Sequence, residues 1–352
     1  VEGLNNIIRK KFSEIDLQDA FFLSLRNDYP GFDNWFKGKS DQEAYVQYEN
    51  NKIIGFLFLK VEKNLVNDVV PNIHANKILK VSTFKINAHG TKMGEQFIKI
   101  IMDYAVSEDV DVCYVTIYEK HHSLIELVQQ FGFELYGTKG DGIYKENVYL
   151  KEMRKITGNI NKDFPLVCIS TAKKYLLSIY PKYHSVMFPD SILNTEDKNI
   201  ITDISYTNSI HKVYVCTMDQ VENLKYGDIV VLYRTAETGR SAEYSAVATS
   251  ICVVEDVKKQ SEFDSFDDFY RYVSKYSVFD EDDLRYWYNK GGCKAIKMTY
   301  NGALKKRIVR HDLIGQIGLE RNQYWGFFEL TDEEFNLIAK KGEVDKILVQ
   351  TN

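Results

Sequence analysis

The chain is poor in several things, and each shortage excludes something. It has 5 prolines in 352 residues, which leaves no room for proline-rich tails or stiff linkers. Its 5 cysteines, Cys113, Cys168, Cys216, Cys252 and Cys293, lie far apart with no Cys-x-x-Cys spacing. An odd, dispersed set reads as buried free thiols in a reducing cytoplasm, against a disulfide framework or a zinc cluster. The 7 histidines make no metal-ligand spacing; His121 and His122 are adjacent, and neighbours on a helix point different ways. No metal is expected. No apolar run approaches the ~20 residues of a membrane helix, and no signal peptide opens the chain. A cytoplasmic protein without a membrane partner is expected. The net charge is −5 and neither half is a polycation, so bulk charge does not advertise nucleic-acid binding.

What is present is the composition of a globular protein, with 44% hydrophobic and 27% charged residues and an abundance of tyrosine (24) and phenylalanine (20). The length suits two domains. A polar, glycine-bearing stretch from Arg154 to Asp163 reads as the linker, which gives a first domain over 1–153 and a second over 164–352.

The first half is organised around Lys77 to Val106. Ile78 to Ile86 alternates like a strand. From about Thr91 to Val106, Met93, Phe97, Ile100, Ile101, Tyr104 and Ala105 recur at helical spacing. Between them lies Asn87-Ala88-His89-Gly90-Thr91-Lys92-Met93-Gly94. Such a glycine turn is either an ordinary connection or a site where free N–H groups and the helix dipole hold a phosphate. Around it the pattern reads as a strand at Asn6–Phe12, a helix from Ser13–Asp16 to about Asn27, and a short helix at Asp33–Lys37. A hairpin of Ala44–Glu49 and Ile53–Val61 follows across Asn50-Asn51, with a loop to about Asn76. After the central helix come a strand at Asp111–Tyr118, a helix at Ser123–Gln130 closed by Phe131-Gly132-Phe133, and strands at Glu134–Gly137 and Tyr144–Lys151.

The run His89-Gly90-Thr91-Lys92-Met93-Gly94 resembles the acyl-CoA-binding motif of the GNAT N-acetyltransferase superfamily, Arg/Gln-x-x-Gly-x-Gly/Ala. His89 stands for the usual Arg or Gln, and Lys92 for the middle glycine. Leu124 to Phe133 resembles the family's second conserved region, and the order of elements over about 5–153 is similar. The resemblance implies acetyl-CoA as acyl donor, direct attack by an amine on the thioester, and a base and oxyanion donors to assist it. It places the thioester and pantetheine near Phe84, Lys85 and Ile86, and the pyrophosphate on His89, Gly90, Thr91, Lys92, Met93 and Gly94. Glu95 falls in the first helical turn, where its carboxylate suits the dipole. The Cβ of Lys92 limits backbone approach to the ligand, and its ammonium offers a phosphate partner instead. The family's frequent tyrosine acid corresponds to Val128 and its frequent asparagine to His121. Tyr118, Tyr136 and Tyr144 are the remaining candidates for the acid and His121 or His122 for the base. Each tyrosine has core or rim packing as its plainer role.

In the second half, apolar runs begin at Phe164–Ile169 and recur at Val213–Cys216 and Tyr226–Arg234, the last a Gly-Asp turn feeding a buried strand. Glu243–Val254 reads as a strand pairing back onto it. Helices are expected at Ser265–Tyr276 and Glu281–Lys290, strands at Cys293–Tyr300 and Trp325–Leu330, and a capping box at Thr331–Glu334 opening a helix to Lys340. Pro181–Tyr183, Ile210–Tyr214 and Gly227–Tyr233 resemble parts of PUA-like, ASCH-type domains. That implies a small β-barrel with inserted helices and an association with RNA. The local support is Lys294, Lys297, Lys305, Lys306, Arg307 and Arg310 around Tyr300, with Lys212 and Arg234 on the pocket side. Basic residues beside an aromatic suit a phosphate backbone and a stacked base; the plainer reading is a solvated strand and loop. The whole chain is thus expected to be α+β. It reads as an acetyl-CoA-dependent N-acetyltransferase with a second domain that binds RNA or selects the amine acceptor. The alternative is a degenerate acyl-CoA sensor acting as a nucleic-acid-binding regulator.

Overall fold

The computed structural model describes residues 7–87, 92–188 and 209–350. The chain divides into two compact units, the first closing at Met153 and the second opening at Arg154. Both are α+β.

The first unit is built on seven strands, β1 (Ile7–Lys11), β2 (Glu43–Glu49), β3 (Lys52–Val66), β4 (Ile73–Ile86), β5 (Val112–Ile117), β6 (Glu134–Lys139) and β7 (Glu146–Glu152). They form one sheet in the order β1-β2-β3-β4-β5-β7-β6. All neighbours are antiparallel except β4 and β5, which run parallel. A parallel pair needs a crossover, and α3 (Lys92–Glu108) supplies it. The β2–β3 hairpin turns at Asn50 and Asn51, both at positive φ (49° and 62°). That is the backbone of the tight turn whose twist matches its strands. Gly132, φ 85°, ends α4 (His122–Gln130).

The sheet is covered on both faces. Short helices α1 (Leu23–Asp28) and α2 (Phe32–Lys37) lie over Phe56 and Phe58, where Phe12, Phe21, Phe22, Phe32 and Phe36 form an aromatic core. Many of these rings meet edge to face, Phe12 with Phe58 at 5.0 Å and Phe22 with Phe56 at 5.4 Å, the arrangement their quadrupoles favour. On the other face α3 buries Phe97, Ile98, Ile101, Met102 and Ala105. Phe97 lies on Gly55 of β3, where a Cβ would stand 2.6 Å from the ring.

The long helix expected before Asn27 starts only at Leu23, preceded by 3-10 turns at Phe12–Glu14 and Ala20–Phe22. The cause is local. Asp16 and Asp19 accept hydrogen bonds from the amides of Gln18 (2.9 Å) and Phe21 (2.8 Å), which offers the backbone an alternative to the helical ladder. The loop expected to reach Asn76 ends earlier, since β4 begins at Ile73.

In the second unit six strands order as β10-β13-β12-β11-β9-β14. They are β9 (Lys174–Ile179), β10 (His211–Cys216), β11 (Ile229–Arg234), β12 (Val247–Lys259), β13 (Lys294–Val309) and β14 (Phe327–Leu330). A two-stranded patch joins β8 (Val167–Cys168) to β15 (Leu348–Val349). The helical pieces, in chain order, are α5 (Ile160–Asp163), α6 (Pro181–Met187), α7 (Ala242–Ser245), α8 (Phe266–Ser274), α9 (Glu281–Lys290), α10 (Arg310–Asp312) and α11 (Asp332–Lys341). The long strands β12 and β13 shift register three times along their length, and each irregularity bends and twists the pair. Thr331 caps α11 in a reciprocal box with Glu334. Within the stretch read as linker, Asn159 caps α5, and Asp163 accepts from the amides of Thr157 (2.7 Å) and Gly158 (2.9 Å). Strand β9 has no counterpart among the sequence expectations. The expected Glu243–Val254 strand splits into α7 and β12. Cys113, Cys216, Cys252 and Cys293 are buried and Cys168 is half-buried, all as free thiols.

Gly55→Ala places a methyl inside the Phe97 ring contact. We expect a loss of about 1–3 kcal/mol, read as a fall in denaturant midpoint at unchanged slope; a wild-type midpoint would show that Phe97 is free to shift.

Candidate active site

Strands β4 and β5 pair from Ile78–Val112 to Val81–Val115 and then part. Neither strand ends there: β4 stays on β3 as far as Ile86–Gly55, and β5 stays on β7 as far as Ile117–Asn147. A cleft therefore opens inside the sheet. Its origin is visible one ladder away. Phe58 pairs with Thr83 and the next residue, Leu59, pairs with Val81, so Ser82 is an extra residue in β4. A bulge bends its strand and steepens the twist, and this one sits where the β4–β5 ladder stops. Beyond it, among the described residues, no strand lies against that edge of β4. Its backbone groups face the cleft and must find partners elsewhere.

The cleft is roofed by the end of α1, which is tied to both banks. Lys85 of β4 donates to the Phe21 carbonyl and to Ser24 Oγ (2.7 Å). On the far bank Tyr29 donates its hydroxyl to Glu146 Oε1 at the head of β7 (2.7 Å). Asp28 accepts from Lys120 Nζ, and its other oxygen is 3.3 Å from His121 Nε2. Tyr118 follows β5, meets Tyr29 in a tilted contact with centroids 5.2 Å apart and points its hydroxyl at the Asp28 carbonyl (3.4 Å). The result is a cluster of two tyrosine rings, an imidazole and two carboxylates. Burial, with Glu146 beside it, holds the Tyr29 phenol well above its ordinary range, so it remains a donor. Burial raises Tyr118 too, reinforced by Glu146, Asp28 and Tyr144. Burial lowers Lys85 against the opposing pull of Asp28 and Asp19.

The residues expected here from the sequence separate into groups. Phe84 faces α3, 5.6 Å from the Phe97 ring; Lys85 faces α1; Ile86 ends β4. His89, Gly90 and Thr91 lie outside the described residues. Lys92 and Met93 open α3 half-buried, and Glu95 is buried one turn in. Gly94 has a packing role: a Cβ there would stand 2.8 Å from Leu127 Cδ2 of α4, so it sets how closely the two helices approach. Tyr118 and His121 lie in the cluster around Asp28, with exposed Tyr144 near enough to be felt by Tyr118. Tyr136 does not, its hydroxyl donating to the Asn72 carbonyl (2.8 Å). Val128 is buried in the core. Sequence reading missed Asp28, Tyr29, Lys120 and Glu146. They come from three separate segments, and nothing in their spacing signals that the fold joins them.

No family model matches the chain, and no curated protein matches it. Solved structures match it half by half. An ASCH protein of Zymomonas mobilis is 10% identical over 49% of this chain and 98% of its own, at a TM-score of 0.34. The N-acetyltransferase PseH of Campylobacter jejuni is 17% identical over 42% and 97%, at 0.26. A GNAT family acetyltransferase of Elizabethkingia anophelis, solved with acetyl-CoA bound, is 12% identical over 42% and 99%, at 0.29. These likenesses are distant and add nothing to the strand register and contacts, from which the site is read.

In the second unit the basic residues singled out in the sequence do not form one surface. Lys212 and Arg234 are buried. Lys212 Nζ lies 5.8 Å from the Phe188 ring centroid, and Arg234 pairs with Glu237 at 3.0 Å. Acidic partners absent from the linear stretch arrive through the fold. Lys294 meets Asp219 and Glu222 (3.6 Å), Lys297 meets Glu255 (2.8 Å) and Lys306 meets Glu343 (2.6 Å). Arg310 lies over Trp325 at 4.3 Å, Tyr300 is buried, Lys305 is exposed and Arg307 half-buried. Among the described residues no group of three His, Cys, Asp or Glu is placed to hold a metal ion, and no helix is long and apolar enough to cross a membrane.

A buried imidazole lies at one end of this sheet. His184 Nε2 is 2.8 Å from Thr249 Oγ1, and Thr249 donates its one hydroxyl proton to the Leu232 carbonyl (3.3 Å). Nε2 therefore carries the hydrogen and Nδ1 the lone pair. Burial, with Arg234 and Arg307 nearby, pushes His184 down to about 3 from 6.5. An unfolded chain binds a proton at this imidazole below 6.5 while the folded chain does not, so this term weakens the fold as pH falls from 6.5 toward 3. We expect a loss of up to about 1.4 kcal/mol per pH unit in that window. His184→Gln should flatten the slope in urea unfolding measured against pH; an unchanged slope would assign it to other groups.

Proposed function

We propose that the first unit transfers an acyl group, acetyl from acetyl-CoA, to an amine. The observation that carries this is the parting of β4 and β5 beyond Val81 and Val115 with the two strands still held on their outer sides. A pantetheine arm is an extended chain with two amides. It matches an unpaired strand edge the way an added strand would. The cleft leads toward the start of α3, a 17-residue helix, whose positive end suits the diphosphate, with Lys92 as a further cation. The amine enters from the side roofed by α1, beneath Tyr29 and Tyr118, and attacks the thioester carbonyl. The second unit presents or selects the acceptor. Exposed Lys305 on β13, beside Lys306 in its pair with Glu343, is a basic residue it offers an RNA-linked one.

Calorimetric titration with acetyl-CoA, and thiol release measured with a panel of amines, test the reading. We expect binding in the range of about 1–100 μM and amine-dependent release of CoA thiol. Lys92→Ala should weaken binding by roughly 3–10-fold, the worth of one charge-assisted contact, and the loss should shrink at high salt. Failure to bind acetyl-CoA would overturn the transferase assignment. A second reading, an acyl-CoA sensor without turnover, draws on Val128, whose buried side chain stands where the resemblance expects a tyrosine acid. Binding without thiol release would select it.

A further inference from the structure

Two carboxylates close the acceptor side of the cleft, and they differ in how their charge is met. Asp28 is saturated, with the Lys120 ammonium on Oδ1 and the His121 imidazole 3.3 Å from Oδ2. Glu146 is not. It is 7% exposed, and among the described residues the one hydrogen bond its carboxylate receives comes from the neutral hydroxyl of Tyr29. Among the described residues no lysine, arginine or histidine stands within ion-pair distance of it. Lys139, its cross-strand neighbour in the β6–β7 ladder, is turned to Asp68 at 2.6 Å. A buried carboxylate with no cation is costly. Such a group persists in a fold when it has a partner that arrives later or a proton that it exchanges.

The surroundings say which cation would fit. The rings of Tyr29 and Tyr118 lie beside the carboxylate, and exposed Tyr144 borders them. Aromatic faces with one carboxylate make a site for a single ammonium group. The hydroxyl of Tyr29 occupies Oε1 and leaves Oε2 for the newcomer.

We propose that Glu146 binds the acceptor as its ammonium and takes the proton that frees it for attack, which makes the acceptor a cationic primary amine. This rests on the acyl-transfer reading above. Glu146 accepts one proton from the ammonium. The amine lone pair then bonds to the thioester carbonyl carbon, and the carbon–sulfur bond breaks with its electron pair on sulfur. The thiolate takes a second proton from the acylated nitrogen, and Glu146 returns its proton to solvent. Tyr29 is a positioning residue: its hydroxyl fixes the carboxylate rotamer.

The test compares Glu146→Gln with the unaltered chain on two kinds of amine, with acetyl-CoA binding measured alongside. One is an alkylamine that is charged at neutral pH; the other is a weakly basic amine of similar size that is already neutral. We expect Glu146→Gln to keep acetyl-CoA affinity within about threefold, to lose about a hundredfold or more in kcat/KM with the charged amine, and to lose less than about tenfold with the neutral one. Tyr29→Phe, a milder change that keeps the ring, should lose roughly three- to tenfold with the charged amine alone. Equal losses on both amines, or undiminished turnover of the charged amine by Glu146→Gln, would overturn the assignment of Glu146 and leave acyl transfer standing. Absence of acetyl-CoA binding by the unaltered chain would overturn both.

Discussion

One extra residue governs the first unit. If β4 and β5 paired along their whole length, the sheet would be continuous and its faces closed by α1–α2 and α3. Ser82 prevents this by spoiling the register of β3 with β4 where the parallel ladder would otherwise continue. The outer pairings hold both strands in place, since β3 follows β4 to its end and β5 is zipped to β7. A cleft cut into the middle of a sheet would ordinarily leave polar backbone unsatisfied. Its persistence is reasonable where an extended ligand completes the hydrogen bonding.

The side-chain arrangement around the cleft follows from the strand period. Successive residues of β4 face opposite ways, so Phe84 anchors α3 through Phe97 while Lys85 anchors α1 through Ser24. Two glycines allow the layers to close on these anchors. Gly55 accepts the ring of Phe97 against β3, and Gly94 lets α4 approach α3. Both are glycines of close packing, where what matters is the missing Cβ. The aromatic core beneath α1 and α2 then fixes the height of the roof, and with it the position of Asp28 and Tyr29 over the far bank.

The sequence was most informative where the signal is local. The Asn50-Asn51 hairpin, the strand–helix unit around Phe97, the Gly132 cap and the Thr331–Glu334 box each lie within a few residues, and each fixes its own backbone. Where tertiary contacts decide, the reading was thinner. Asp16 and Asp19 break a helix that its apolar side suggests. Strand β9, Lys174–Ile179, is a short apolar run with no period to separate strand from helix; it is a strand because β11 and β14 flank it. Around the cleft, Lys85, Tyr118 and His121 drew notice in the sequence because they adjoin a recognisable strand–turn–helix. Asp28, Tyr29 and Glu146 were not, because their chemistry exists only once α1 is laid across the sheet.

The second unit shows the same principle from the side of charge. In one dimension, Lys294 to Arg310 is a run of cations without acids. In three, Lys294, Lys297 and Lys306 each meet a carboxylate brought from elsewhere, and Arg310 spreads its charge over an indole. Lys212 and Arg234 have gone inside, where a cation must be matched by the protein itself or by something bound. A linear count of charge therefore measures neither what a polyanion would meet at the surface nor what a buried group needs. Local compensation decides both, and by that measure Glu146 and His184 are the telling residues of the two units. Glu146 is buried with no ion-pair partner among the described residues. His184 is held neutral by its burial, with the charges of Arg234 and Arg307 adding to the effect.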